Sequence, residues 1–264
     1  MALSAHSDSQ SSPSLLADDE PSPVWALRAS GTSPYVLLVD HASCGVPRRL
    51  ADLDLPAPEL RRHIALDLGA AEVALRLSAL LDAALLMQRY SRLVIDCNRP
   101  LDSDQSIVTV SDGTVIPGNA SVNSTDTARR ARDIFEPYHA AIAALLDGRA
   151  RQGTPSALVA IHSFTPIWDG RRRPWQVGVL YNRDPRLATA LGRALEADGG
   201  LVVGYNEPYD LSDQTDWTIP EHGERRGLPH VELEIRQDLI ADSAGQQQWA
   251  VRLARLLPPL LASL

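Results

Sequence analysis

The chain has 264 residues, with hydrophobic residues at 44%, charged residues at 22% and a formal net charge of −8. That length suffices for a sizeable core in one large domain, no apolar run approaches the roughly 18 to 20 residues that span a bilayer, and the acidic balance, with a pI near 5.3, argues against a nucleic-acid-binding surface. Two cysteines, Cys44 and Cys97, are too few for a disulfide framework or a cysteine-type zinc site, so they are expected as core thiols in a cytoplasmic protein.

Residues 1–22 are rich in Ser, Asp and Pro and read as a disordered leader, with residues 23–264 as the folded domain. The apolar run Tyr35–Val39 is the first clear strand, and it ends abruptly in Asp40, His41, Ser43 and Gly45. Gly45–Pro58 is a proline-bearing loop. Glu59–Leu81 carries apolar residues at helical spacing, Leu85–Met87 is a short strand, and Leu93–Cys97 is a longer one running into Asn98-Arg99-Pro100. Residues 101–125 form a long loop of the kind that often walls a pocket. Asp126–Arg151 is helical, with Asp126 as cap and a kink at Pro137, and Ala157–Ile161 is a strand ending in His162 and Ser163. Val177–Tyr181 is a strand, Pro185–Ala197 a helix, and Leu201–Val203 a strand. After a second long loop, 204–229, come the last strand, Val231–Ile235, and a closing helix over Ser243–Leu257 stopped by Pro258 and Pro259. Strands alternating with helices predict a single-domain three-layer α/β/α sandwich around a mostly parallel mixed sheet.

In open α/β sheets ligands bind above the carboxyl ends of the strands. Four predicted strands end in hydrolytic chemistry: His41; Asn98 with Arg99; His162 with Ser163; and Glu232 or Glu234. Catalytic zinc usually takes three protein ligands from His and carboxylates and leaves one position for water. His41 and His162 supply two; Asp67, placed on the predicted helix, is the first choice for the third, with Asp96 and Asp40 as alternatives. Arg99 suits a substrate carboxylate because its planar fork makes two parallel bonds. Glu232 and Glu234 share one face of their strand, since side chains alternate with period two, and either can be the base that deprotonates water. Ser163 lacks the G-x-S-x-G turn of a serine nucleophile and is a candidate for substrate binding. His139 and His230 read as structural, His6 falls in the leader, and the run Arg171–Arg173 reads as a solvated basic stretch.

The segments D-H-A-S-C-G-V-P at 40–47, H-I-A-L-D at 63–67, Y-S-R-L-V-I-D-C-N-R-P at 90–100, A-I-H-S-F-T-P at 160–166 and H-V-E-L-E-I-R at 230–236 together resemble the N-formylglutamate amidohydrolases, whose fold is related to that of the zinc carboxypeptidases. The resemblance implies a phosphorylase/hydrolase-like fold and a zinc amidohydrolase in which His41 and His162 match the metal histidines. Asn98-Arg99 is similar to the Asn-Arg pair with which zinc carboxypeptidases grip a carboxylate. Glu234 in E-I-R matches their catalytic glutamate, which favours it over Glu232, and His222 in the 204–229 loop is the counterpart of a basic segment that donates to the oxyanion or the leaving nitrogen. The chain departs from the carboxypeptidases at Cys44, where they carry a glutamate ligand. The implied substrate is a small molecule with a free carboxylate, an N-acyl acidic amino acid such as N-formylglutamate. Another N-acyl amino acid, a small peptide or a peptidoglycan fragment is the alternative substrate, and a non-catalytic binding protein is the alternative of another class.

Overall fold

A computed structural model describes residues 13–263. Its strands are β1 (Val24–Leu27), β2 (Tyr35–Val39), β3 (Ala84–Gln88), β4 (Val110–Ser111), β5 (Thr114–Val115), β6 (Ala157–Phe164), β7 (Ile167–Trp168), β8 (Arg171–Arg172), β9 (Val177–Leu180), β10 (Val203–Tyr205) and β11 (His230–Arg236). The helices are α1 (Ala70–Leu81), α2 (Ser124–Arg130), α3 (Glu136–Arg151), α4 (Arg186–Ala197) and α5 (Ser243–Leu260). Seven strands form one sheet in the order β1-β3-β2-β6-β11-β9-β10, while β4–β5 and β7–β8 are separate hairpins. β1 runs antiparallel to β3, and β9 antiparallel to β11; the other pairings are parallel. The mostly parallel mixed sheet expected from the alternating pattern is thus present.

Period-two alternation sorts the strands' side chains between two cores. Leu37, Val39, Val159, Ile161, Leu233 and Ile235 pack against α1, α4 and α5. Val36, Leu38, Leu158 and Ala160 face α3 and the loops around it. Both faces are covered, so β2, β3, β6, β9 and β11 are buried along their whole length and read as largely continuous apolar runs rather than alternating ones. His162, Glu232 and Glu234 fall on the second face by parity, where the covering layer is loop rather than apolar helix, and this gives three polar residues a buried sheet position.

Four expectations change. Residues 13–22 of the expected leader pack onto the domain: Leu15 is 1% exposed within the second core, and Glu20 accepts from the Arg48 backbone N–H at 2.8 Å. Residues 1–12, with His6, lie outside the described residues. The helix after the first loop begins only at Ala70, because Gly69 takes φ +80° and a Cβ there would meet Ile240 O at 2.3 Å. Asp67 therefore lies in the connection before the helix, its N–H donating to His41 O at 2.9 Å. Leu93–Cys97 is a run of buried turns instead of a strand. Its carbonyls are taken by side chains, Leu93 O by Asn119, Val94 O by Arg130 and Cys97 O by His139, so no sheet partner is needed to satisfy them. The cap of the helix near 124 is Asn123, whose Oδ1 accepts from Asp126 N at 3.0 Å. Among the described residues, no helix is long and apolar enough to cross a membrane.

Candidate functional site

β2 delivers His41 to the rim and its parallel neighbour β6 delivers His162, while the stop at Gly69 turns Asp67 back beneath them. The donor atoms of His41, Asp67 and His162 all lie within 4.8 Å of one another, and all three residues are buried. His41 Nδ1 and His162 Nδ1 converge on the same oxygen, Asp67 Oδ2, at 3.2 and 2.8 Å. The far side of each ring is held by another carboxylate: His41 Nε2 donates to Asp96 Oδ1 at 2.7 Å and His162 Nε2 to Asp40 Oδ2 at 3.2 Å. These outer acids are held in turn. Arg92 donates to Asp96 Oδ2 through Nε and Nη2 at 3.0 and 2.6 Å, and Thr218 Oγ1 donates to Asp40 Oδ1 at 2.8 Å.

This arrangement fits a metal. Two imidazole nitrogens and a carboxylate oxygen meet at one point, and the opposite nitrogen of each ring is bound by a carboxylate, as metal-ligating histidines usually are. It also separates the acids: Asp67 faces the Nδ1 side, whereas Asp96 and Asp40, the alternatives, occupy the Nε2 side. The field points the same way. Burial opposes charge on His162, but Glu232, Asp40 and Asp67 hold its pKa well above the usual range; burial and Arg92 oppose charge on His41, and Asp96 and Asp67 outweigh them. Burial likewise opposes ionisation of Asp67, yet His41 and His162 keep its pKa low. A site that favours imidazolium this strongly favours a bound cation for the same reason. Replacing Asp96 with Asn should weaken metal binding by about 10- to 100-fold, the usual cost of losing an outer partner, measured by competition with a chelating indicator.

A cavity of about 540 Å³ opens over this cluster, lined among others by Arg92, Arg99, Ser163, Trp168, Tyr209 and Glu234, and its size is ordinary for a small-molecule site. Glu234 lies beside His162 in the β6–β11 register. Its Oε2 is buried with no hydrogen-bond partner among the described residues. Burial pushes its pKa up, with Asp67 adding to the rise and His162, Arg92 and Arg173 opposing it. Glu232 is raised by burial as well, but its Oε2 accepts from Asn98 Nδ2 at 3.2 Å. The wall over Glu234 passes close because Gly178, opposite it on β9, has no side chain: a Cβ there would meet Glu207 O at 2.1 Å.

Asn98, Arg99 and Ser163 line the same cavity, each with part of its bonding capacity already used. Asn98 lines the cavity with its amide fully used: Nδ2 donates to Asp216 and Glu232, and Oδ1 accepts from the N–H groups of Trp217 and Thr218. It ties two loops together and keeps no N–H for a substrate. Arg99 lines the cavity too, but its Nη1 is bound to Asp216 Oδ1 at 3.0 Å and to the Thr215 carbonyl. Ser163 Oγ donates to Leu68 O at 2.9 Å. Burial raises the Cys97 thiol well above its usual range, which suits a core residue.

His222, expected as a donor to the oxyanion, is not among the residues lining the cavity. It is buried and stacked on His139 with ring centroids 5.2 Å apart. Since His139 Nε2 donates to Cys97 O at 2.9 Å, His139 Nδ1 is the acceptor for His222 Nε2 at 3.0 Å. Burial lowers the pKa of His139 to about 4 and that of His222 to about 3. Folded values below the unfolded value of about 6.5 mean that the unfolded chain binds more protons between those limits, so stability is lost as pH falls from about 6.5 toward 4. From pH 7 to pH 5 the loss is about 2 kcal/mol for each imidazole. His222→Leu should therefore gain about 2 kcal/mol relative to the parent across that interval, read from urea unfolding at both pH values; a constant gap would show that the ring is not held neutral.

The sequence reading singled out none of Arg92, Asp216 and Thr218. The i,i+4 spacing of Arg92 and Asp96 was a usable signal for the first. The others sit in a loop that only the fold brings under β2.

The N-formylglutamate amidohydrolase family model matches residues 33–241. The chain belongs to this family. As a member it is a hydrolase of amide bonds. Among solved structures, a gene product of Agrobacterium tumefaciens is 35% identical with a TM-score of 0.91, over 94% of this chain and 98% of that one. The N-formylglutamate amidohydrolase of Ralstonia eutropha shares the fold at 19% identity and a TM-score of 0.67, over 92% and 100%. A search of curated proteins finds no match.

Proposed function

We propose that this amidohydrolase is zinc-dependent and removes the N-acyl group, formyl in the simplest case, from an acidic amino acid such as N-formylglutamate. The observation that carries the reading is the pairing of a His41–Asp67–His162 donor set with Glu234, whose free carboxylate oxygen lies next to His162. A zinc ion held there supplies a Lewis acid that lowers the pKa of water and polarises an amide carbonyl. Glu234 takes the proton from the attacking water and passes it to the leaving nitrogen; its raised pKa suits it to both steps near neutral pH. Arg92 neutralises Asp96, which keeps that carboxylate ionised in a buried site, and reaches Asp67 Oδ1 at 3.4 Å. Arg99 keeps N–H groups free beyond those bound to Asp216 and is placed to receive a substrate carboxylate.

The test has two parts. Purified protein should contain about one zinc per chain, the stoichiometry of a mononuclear catalytic site, and it should release formate from N-formylglutamate. Zinc bound with no formate released, but with turnover of another N-acyl amino acid or a small peptide, would move the acyl group and keep the chemistry. Absence of stoichiometric metal would end the zinc reading.

A further inference from the structure

The cavity is rich in acid: Asp67, Asp96, Asp210, Asp216, Glu232 and Glu234 all line it. The two arginines that also line it are already matched, Arg92 to Asp96 and Asp67 and Arg99 to Asp216. A substrate with two carboxylates entering such an acidic site needs a cation for each of them, and the free N–H groups of Arg99 serve one.

Arg173 is the other cation. It follows β8, and its N–H donates to Pro166 O at 2.9 Å, which folds the β7–β8 hairpin back and turns the side chain under it. Arg171 and Arg172 are exposed, as a solvated run should be, but Arg173 is only 9% exposed. Other buried arginines hold protein groups: Arg149 binds the Ser33 and Pro155 carbonyls, Arg130 the Val94 carbonyl, and Arg236 pairs with Asp238. No carboxylate among the described residues is ion-paired with Arg173. Its Nη1 donates to Tyr209 Oη at 3.0 Å and, at 3.4 Å, to Thr165 O and Oγ1. Its Nε and Nη2 have no protein partner among the described residues. The rings of Phe164, Trp168 and Tyr209 lie 5.6, 5.3 and 5.0 Å from the guanidinium carbon, and these rings and Thr165 are all part of the cavity wall. Aromatic faces stabilise a cation without neutralising it. Arg173 stands behind this wall rather than among the residues lining the cavity, and the rings fix the plane of its fork while Nε and Nη2 stay unbound by the described residues. The charge is close enough to Glu234 to act against the effect of burial on its carboxyl pKa.

We propose that Arg173 receives the side-chain carboxylate of the substrate and thereby sets a preference for an acidic over a neutral N-acyl amino acid. This rests on the amidohydrolase reading above and adds the residue that selects among its substrates. A site built to bind a polar group strongly rejects the analogue lacking it, because its own buried group is then left unmatched.

Arg173→Lys keeps the charge and removes the fork; Arg173→Gln removes both. With the zinc-loaded enzyme, the ratio of kcat/KM for N-formylglutamate to that for N-formylglutamine should fall by about 100-fold in Arg173→Gln, whatever change the two substrates share through Glu234. Calorimetric titration with glutarate and butyrate supplies a readout without turnover: the parent should prefer glutarate, and the preference should vanish in Arg173→Gln and shrink in Arg173→Lys. Thermal melts of both variants establish that they are folded. Folded variants that keep the glutarate preference, or that lose activity on both substrates equally, would overturn the assignment. If the parent hydrolyses no N-formyl amino acid yet binds glutarate in an Arg173-dependent way, the carboxylate site stands and the proposed reaction falls.

Discussion

Glu234→Gln should lower kcat by about 1,000-fold, within the range general acid–base groups contribute, and leave the zinc content unchanged. The substitution is nearly isosteric, and Glu234 makes no hydrogen bond through Oε2 that the fold depends on, so the change isolates proton transfer. Glu232→Gln is the control. Glu232 holds Asn98, and through it the backbone of Trp217 and Thr218, so its replacement should cost stability and only a modest part of the rate. Zinc lost from the Glu234 variant would make Glu234 a ligand; equal loss of rate in the two variants would remove the distinction between them.

Asp67→Ala should abolish stoichiometric metal binding, because it removes the one carboxylate oxygen among the described residues on which both Nδ1 atoms converge and leaves Arg92 with one acid fewer. The effect should far exceed the 10- to 100-fold loss typical of an outer partner. Metal analysis of Asp67→Ala and Asp96→Asn after dialysis against a weak chelator compares the two positions directly. Metal retained by the Asp67 variant and lost by the Asp96 variant would exchange their roles.

Much of the scaffold was legible because it depends on local pattern. β2, β3, β6, β9 and β11 coincide with apolar runs, and α4 and α5 with 3.6-residue stripes, since burial on both faces leaves a continuous signature. The polar ends of β2, β6 and β11 were also legible, because an uncompensated His or Glu in such a run stands out. What failed has a common cause. Leu93–Cys97 looks like a strand because burial rather than pleating sets its composition, and its carbonyls find Asn119, Arg130 and His139 from distant parts of the chain. The extended helix before Ala70 failed because Gly69 is required by the approach of Ile240, 171 positions later in the numbering.

The sequence by itself determined the fold class, the chemistry available at the rim and the two histidines, because hydrophobic periodicity and residue type are local properties. Tertiary structure decided the division of labour. It set Asp67 on the Nδ1 side of both rings with Asp96 and Asp40 behind them, closed Asn98 into a loop clamp, withdrew His222 into a neutral pair with His139, and left Arg173 without an acid partner among the described residues. Each of these is a matter of which donor faces which acceptor across more than 25 residues of chain. Spacing along the chain carries no information about such an arrangement; the sheet order and the loop paths fix it.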